Sequence, residues 1–456
     1  MLRCDTAFTL PLRLYALLMF ATCAAYANIG FGDFQFDDYN VIISNPQVHT
    51  WQAWWQSLGH GIRPLLKFSY TLNWTSSPDV AGFHLLNLLI HLGNVLLVFE
   101  LSRRFMLQQT RLREYADRVA CCTALVFALH PALSEAVTYV SGRSSALMTL
   151  FYLGGMLFYD TGRTRNDWLR LYLGVPMCFI AALAVKETAV TFPLALLLWE
   201  RARGSTWNTA LKLQWPYWLV VAGVTLFMLC NVNYRTHMET SAAVNSLQGN
   251  LATQASAITY LLRQWLFPLW LNIDPDLHAA HQLQFALPQL ALLGVLCVLA
   301  LFTLHRRPWL GFALAWVVLQ LLPLHLLLPR LDVANDRQLY LLGWPLAQAL
   351  VAELWLWLGR SRAFAVVLAL LAITLGALTL TRNQVYRSEI ALWEDTVVYS
   401  PAKARVHNNL GYAYMLAGRK NEARDEFTRA LALDTDDYKA RNNLARLRGA
   451  PAGLPE

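Results

Sequence analysis

Charge is what this chain has least of. Only 14% of its 456 residues are Asp, Glu, Lys or Arg, and 56% are hydrophobic, whereas an average soluble domain is about 25% charged. So sparse a charged surface cannot cover a water-soluble fold of this length, and lipid is the natural solvent. Other absences narrow the chemistry. The histidines and cysteines show no HExxH or CxxC-type spacing, so the sequence carries no strong metal site. It also has no phosphate-cradling GxxxxGK[ST] run, which argues against a nucleotide-driven pump. Nor do the cysteines suggest a disulfide framework: Cys23, Cys121, Cys122, Cys178, Cys230 and Cys297 lie inside apolar blocks and Cys4 is terminal, so they read as buried thiols. A net charge of +8 could suggest nucleic acid, but the Lys and Arg residues punctuate the apolar blocks, and topology explains them better.

What is present is a series of apolar blocks of roughly 18 to 22 residues, enough to cross ~30 Å of hydrocarbon at ~1.5 Å per residue. They fall at about 8–28, 80–102, 119–137, 145–160, 169–185, 187–200, 214–233, 286–304, 309–328, 338–358 and 363–381. This predicts an all-α polytopic membrane protein with about eleven transmembrane helices. The first block ends in Ala25-Tyr26-Ala27, which is similar to a signal-peptidase site, and is read as a retained helix. The short loops rich in Arg103, Arg104, Arg111, Arg113 and Arg118, in Arg163, Arg165 and Arg170, and in Arg201, Arg203 and Lys212 are expected in the cytoplasm. The stretch 257–275 is broken by Arg263, Gln264 and Pro268. If it crossed, His305-Arg306-Arg307 and Arg360-Ser361-Arg362 would lie outside, so it is read as an interfacial or re-entrant helix. The N-terminus is then cytoplasmic and the C-terminus external, which in a bacterial inner membrane means periplasmic.

On that map the unusual polar residues gather on the outer face. The first long loop, 29–78, carries Asp33, Asp37, Asp38, Asn45, His60, Arg63 and Asn73, and His84 and Asn87 open the next span. His130 and Glu135 close the third span, followed by Ser141, Gly142 and Arg143; Lys186 and Glu187 form a tight external turn. The region 234–285 adds Tyr234, Arg235, His237, Asp274, Asp276 and His278, and Asn335, Asp336 and Arg337 precede the tenth span. Ionisable groups at membrane depth are costly and usually mark a site or pathway. Each also has a plainer reading. Asp37-Asp38 could be a solvated loop pair, Lys186-Glu187 a neutral ion pair at a hairpin tip, and His130 a packing residue. His91 and Asn94 read as helix–helix hydrogen-bonding groups.

From Gln384 onward charge rises and a repeat appears. Residues 404–437 place Leu410, Gly411, Tyr414, Ala423, Phe427 and Ala430 at the positions of a 34-residue tetratricopeptide unit. Trp393 and Pro401 fit a degenerate unit before it, and Leu444 and Ala445 a truncated one after it. The chain therefore divides into a membrane domain over 1–383 and a short periplasmic repeat domain over 384–456. Such arrays commonly present a concave peptide-binding surface, although one this short could equally cap the membrane domain.

The runs Phe36-Asp37-Asp38-Tyr39 with Asn45-Pro46, Arg63-Pro64-Leu65, His84 with Asn87, His130-Pro131 with Glu135-Ala136-Val137 and Ser141-Gly142-Arg143, Lys186-Glu187, and Asn335-Asp336-Arg337 with Tyr340 occur in that order. Together with the repeats, they resemble the transmembrane and tetratricopeptide-repeat-containing O-mannosyltransferases and their bacterial relatives. The resemblance implies a type-C glycosyltransferase fold. It implies transfer of a hexose such as mannose, or a pentose, from a polyprenyl-phosphate donor to a hydroxyl of a secreted or periplasmic protein, a pilin for instance, with inversion. It further implies Asp37 as catalytic base, with Asp38 orienting the acceptor or holding a divalent cation, Mg²⁺ or Mn²⁺. Lys186, Arg337, Arg143 and Arg63 would meet the donor phosphate; Glu135, Glu187, His130, His84, Asn335 and Asp336 would meet the sugar or orient the residues that do. On the repeat, Asn408, Asn409, Tyr412 and Asn442 would dock the acceptor. Rival readings are transfer to a lipid or cell-envelope glycan, a lipid transporter, and a non-enzymatic membrane scaffold. A transporter should show internal repeats and a midplane site, and neither is visible.

Overall fold

The computed structural model describes residues 12–59, 61–242, 247–277, 283–321 and 333–447, and among them the regular elements are all helical. His60, His278, the N-terminal part of the first apolar block and the end of the 309–328 block lie outside the described residues. Five helical segments are long and apolar enough to cross a membrane: Leu12–Phe31, Val80–Leu107, Leu283–Arg306, Asp336–Leu358 and Arg362–Val385. A sixth is obtained if Arg113–Leu129 and Pro131–Thr138, bent by 62° at their junction, form one broken span. The helices Arg170–Val185, Trp215–Cys230 and Pro308–Leu321 are apolar but shorter. By length and composition alone, five or six of the described helices are long and apolar enough to cross, and most of the remaining apolar blocks form shorter helices. Several sequence blocks shorten in the fold because their ends are drawn into turns: Lys186 is extended, with ψ at 134°, and closes the preceding helix.

A break in the third block positions the site. Pro131 cannot donate a backbone hydrogen bond, so the helix stops at Leu129. His130 caps the next turn, its Nδ1 accepting from the Ala132 backbone. The chain then folds back through Glu135–Thr138 into the Arg143–Arg165 helix. Gly142 is indispensable to this reversal: a Cβ there would lie 2.1 Å from the Glu135 carbonyl oxygen. Substituting Gly142 by Ala must displace backbone rather than a side chain, at a cost of about 1–3 kcal/mol. We expect a lowered melting temperature together with loss of activity, and a Gly142→Ala chain melting like the parent would show that the reversal tolerates a methyl group.

The last span is fastened to the first. Asn383 donates to the Ala25 carbonyl and to the Asn28 side chain, Asn28 donates to the Leu380 carbonyl, and Thr138 donates to Asn383. Beyond it the helices Glu389–Tyr399, Ala404–Leu416, Lys420–Leu433 and Tyr438–Leu447 stack in order. Gly411 leaves room for Phe427, whose ring carbons would be 2.7 Å from a Cβ at that position. The repeat is held against the membrane domain by Asp274, which receives Lys403 Nζ at 2.5 Å and Arg405 Nε at 2.9 Å, while Ser400 donates to the Asp274 carbonyl.

Candidate active site

The loop carrying the acidic pair is held in a costly shape. Phe36 has φ at +45°, a left-handed conformation that a bulky aromatic residue rarely adopts. Its ring meets Trp393 edge-on at 5.1 Å, and beside it Gln35 donates to the Tyr386 carbonyl at 2.5 Å. The backbone N–H of Asp37 donates to the Tyr139 hydroxyl at 2.9 Å. These contacts divide the pair. The Asp37 side chain stays 40% exposed, with Oδ2 3.8 Å from Arg337 Nη2. Asp38 is fully buried: Oδ2 accepts from the Gln35 N–H, and Oδ1 from both the N–H and the hydroxyl of Ser141.

Asp38 thus uses both oxygens to tie the first loop to the Ser141 turn. Asp37 faces Arg337, and the described residues hold no group of three or more His, Cys, Asp or Glu suited to a metal. Burial pushes the Asp38 carboxyl up to about 7, against the opposing pull of its Ser141 and Gln35 hydrogen bonds. A folded chain that keeps this proton while the unfolded chain releases it near the ordinary value of 3.8 binds more protons across that interval. Stability must therefore fall as pH rises from about 4 to about 7, by up to roughly 1.4 kcal/mol per pH unit. Asp38→Asn is expected to flatten that slope in thermal melts, and an unchanged slope would mean that the carboxyl is ionised in the fold.

Around Asp37 stand groups from distant parts of the chain. The Glu135 side chain accepts the Arg337 backbone N–H at 3.0 Å and lies 3.4 Å from Arg337 Nε, and it is 1% exposed. Lys186 and Arg382 are its other cationic neighbours. Lys186 is buried and donates to the Ser145 hydroxyl at 2.7 Å. Lys186 and Arg337 line one small cleft whose walls include Met148, Leu321, Leu341 and Leu342. Two cations on one cleft, with Ser145, Thr149 and Thr188 beside them, suit an anionic oxygen group such as phosphate. Asp336 is buried 4.0 Å from Arg382 Nη2, and the side-chain oxygen of buried Asn335 has no hydrogen-bond partner among the described residues. Arg63, also left-handed with φ at +53°, grips Glu187 with Nε and Nη2 at 2.8–3.2 Å and so braces the turn behind Lys186. Glu187 holds the Arg63 guanidinium above its ordinary pKa.

Three candidates lie elsewhere. Arg143 is fully buried, donating to Asn87 Oδ1, to the carbonyls of Ser69 and Phe83, and lying over the Tyr70 ring. With its donors committed inside the fold, it supports the site from behind instead of facing a ligand. His130 stacks on Trp265 and shares a 2.9 Å hydrogen bond with the Trp265 carbonyl, besides capping its own turn. His84 is buried against the Gly32 backbone. Reading the sequence missed Tyr139, whose ring lies beneath the Arg337 guanidinium, and Arg382, which bridges Asp336 and Asp395 near Tyr386. An arginine near the end of an apolar span, one helical turn before Tyr386, was the signal for the latter.

On the repeat, Asn408 is buried and accepts from Asn443 at 3.0 Å, Asn409 and Asn442 are half-buried, and Tyr412 is exposed. Tyr412 lies within electrostatic reach of Tyr39, two residues beyond Asp37. The exposed side of the repeat thus approaches the acidic loop.

The tetratricopeptide repeat family model matches residues 404–437. A search of characterised proteins finds the protein O-mannosyl-transferase Tmtc3 of Drosophila melanogaster, 26% identical over 84% of this chain and 50% of its own length. The mouse and human proteins named TMTC3 are 24% and 23% identical over 94% of this chain and 52% of theirs. The chain spans about half the length of these relatives. No solved structure matches it.

Proposed function

Because the chain is a relative of the transmembrane and tetratricopeptide-repeat-containing proteins named O-mannosyl-transferases, we propose that it transfers a sugar from a polyprenyl-phosphate donor to a hydroxyl of a protein. In this reading it is a type-C glycosyltransferase of about eleven spans in a bacterial inner membrane, with Asp37 and the repeat in the periplasm and a hexose such as mannose or a pentose as the sugar. The observation that carries the proposal is the approach of exposed Asp37 to Arg337, and the place of Arg337 beside Lys186 on one cleft.

The chemistry follows from that arrangement. Asp37 accepts the proton of the acceptor hydroxyl as its oxygen bonds to the anomeric carbon, from the face opposite the bond to phosphate. That bond breaks, its electron pair leaving on the lipid phosphate, whose growing charge is met by Lys186 and Arg337. Arg63 acts through Glu187 to fix the Lys186 turn. Glu135 orients Arg337, Asp38 holds the loop, and Asn335 offers a buried acceptor to the sugar. Asp336, His84, His130 and Arg143 hold the walls.

Incubating the purified chain with a polyprenyl-phosphate sugar and candidate secreted proteins, then weighing both protein and lipid fractions, tests the assignment. A hexose or pentose increment on protein is the expected result. An increment confined to lipid or glycan would make this a cell-envelope glycan transferase instead. Acceptor docking along Asn409, Tyr412 and Asn442 predicts that Tyr412→Ala lowers protein modification by about tenfold while leaving cleavage of the donor by water unchanged. Equal loss of both reactions would remove the repeat from acceptor binding.

A further inference from the structure

At the other end of the membrane domain lies a groove that the proposed transfer does not use. It is open, about 470 Å³ in volume, and runs between the Ala116–Leu129 and Arg362–Val385 helices with Leu14 at its edge. The Leu339–Leu358 helix relates it to the site: Arg337 precedes the first turn and Arg360 follows the last. Its 20 residues span ~30 Å, the thickness of the hydrocarbon core. The groove therefore opens on the opposite membrane face.

Its lining changes character along its length. Arg118 and Arg360 stand at one end, beside Ser361. Farther in, Ala365, Ala369 and Ala372 present small side chains at helical spacing, facing Cys122 and Leu125. From Arg362 to Ala372 the helix rises ~15 Å, the depth of a single leaflet. Trp355 lies between Tyr115, at 5.0 Å, and Phe364, at 4.8 Å, an aromatic cluster of the kind found at the headgroup level. Both cations are exposed, Arg360 lying over the Tyr115 ring at 5.0 Å. Arg118 is exposed and forms no ion pair among the described residues. Arg360 reaches Glu114 only at 4.0 Å, with the two side chains 58% and 72% exposed, a pair of little strength.

We propose that this groove is a binding site for an anionic phospholipid of the leaflet opposite the Asp37 mouth, its phosphate between Arg118 and Arg360 and one acyl chain along the alanine-lined trough. Charge complementarity favours a phosphate-bearing headgroup, and the leaflet-deep apolar trough favours a lipid over a free phosphate. On the orientation proposed above, this is the cytoplasmic leaflet, where anionic lipids are concentrated; the site itself does not depend on the transfer reaction.

The full chain, reconstituted in nanodiscs of phosphatidylglycerol and phosphatidylcholine and released for native mass spectrometry, tests this directly. The parent is expected to retain phosphatidylglycerol about tenfold over its share of the mixture, and the doubly substituted Arg118→Gln, Arg360→Gln chain about in proportion to it. Ala369→Phe, which keeps both charges and fills the trough at an exposed position, should lose the same preference. Equal retention by the parent and the double variant, or displacement of the lipid by inorganic phosphate, would overturn the proposal. Because the readout is bound lipid, failure here and failure of glycosyl transfer are separately visible.

Discussion

Replacing Asp37 by Asn is expected to lower sugar transfer by about 10²–10⁴-fold while leaving the fold intact. The amide keeps the shape of the side chain but cannot accept the proton of an attacking hydroxyl at neutral pH. Little else should change. Asp37 is 40% exposed, its partner Arg337 is 3.8 Å away, and the backbone N–H that fastens it to Tyr139 survives the substitution. An exposed pair at that distance contributes at most about 1 kcal/mol. The measurement is initial transfer rate with a polyprenyl-phosphate sugar, paired with a melting curve. A variant that melts normally and turns over like the parent would take Asp37 out of the chemistry. Asp38→Asn is the internal control, since Asp38 faces Ser141 rather than the mouth, and it should act on pH-dependent stability before it acts on proton transfer.

Arg337→Gln should be damaging in a second way. It removes a phosphate-facing cation, and it strips buried Glu135 of the guanidinium at 3.4 Å. Removing the nearest partner of a buried carboxylate leaves only the more weakly acting Lys186 and Arg382, and a loss of up to about 3 kcal/mol is expected. Adding Glu135→Gln removes the under-compensated charge. The double variant should therefore recover most of the melting temperature but none of the activity. Recovery of both would mean that Arg337 serves only to neutralise Glu135, and recovery of neither would mean that the pair orders the 335–338 turn by shape.

Where the candidate residues stand along the chain was plain from the sequence, because they fall in short polar runs. Asp37, Lys186 and Arg337 stand in such runs between apolar blocks, and in the fold Arg337 lies near Asp37 and shares a cleft with Lys186. Burial was harder to foresee. Arg143 and Arg337 look alike in sequence, each beside a turn that opens a helix, yet Asn87, Ser69 and Phe83 enclose one while the other stays 15% exposed at a cleft. Which cation is consumed by the fold depends on partners 56 to 74 residues away, and local pattern carries no record of them. The spans show the same limit. Apolar blocks mark where helices form, but Pro131 and the extended Lys186 decide where they end. The repeat was legible because its spacing is local: Gly411 and Phe427 meet within one 34-residue unit.

The support for the acidic loop also has a consequence in time. Gln35 and its partner Tyr386 are separated by 351 residues, and Phe36 leans on Trp393 farther still. A ribosome releases the loop early and its buttress late, so a nascent chain already threaded into the bilayer carries Asp37 without the geometry that aims it. The loop therefore reaches its native shape only after the segment beyond the last span has emerged and docked against it.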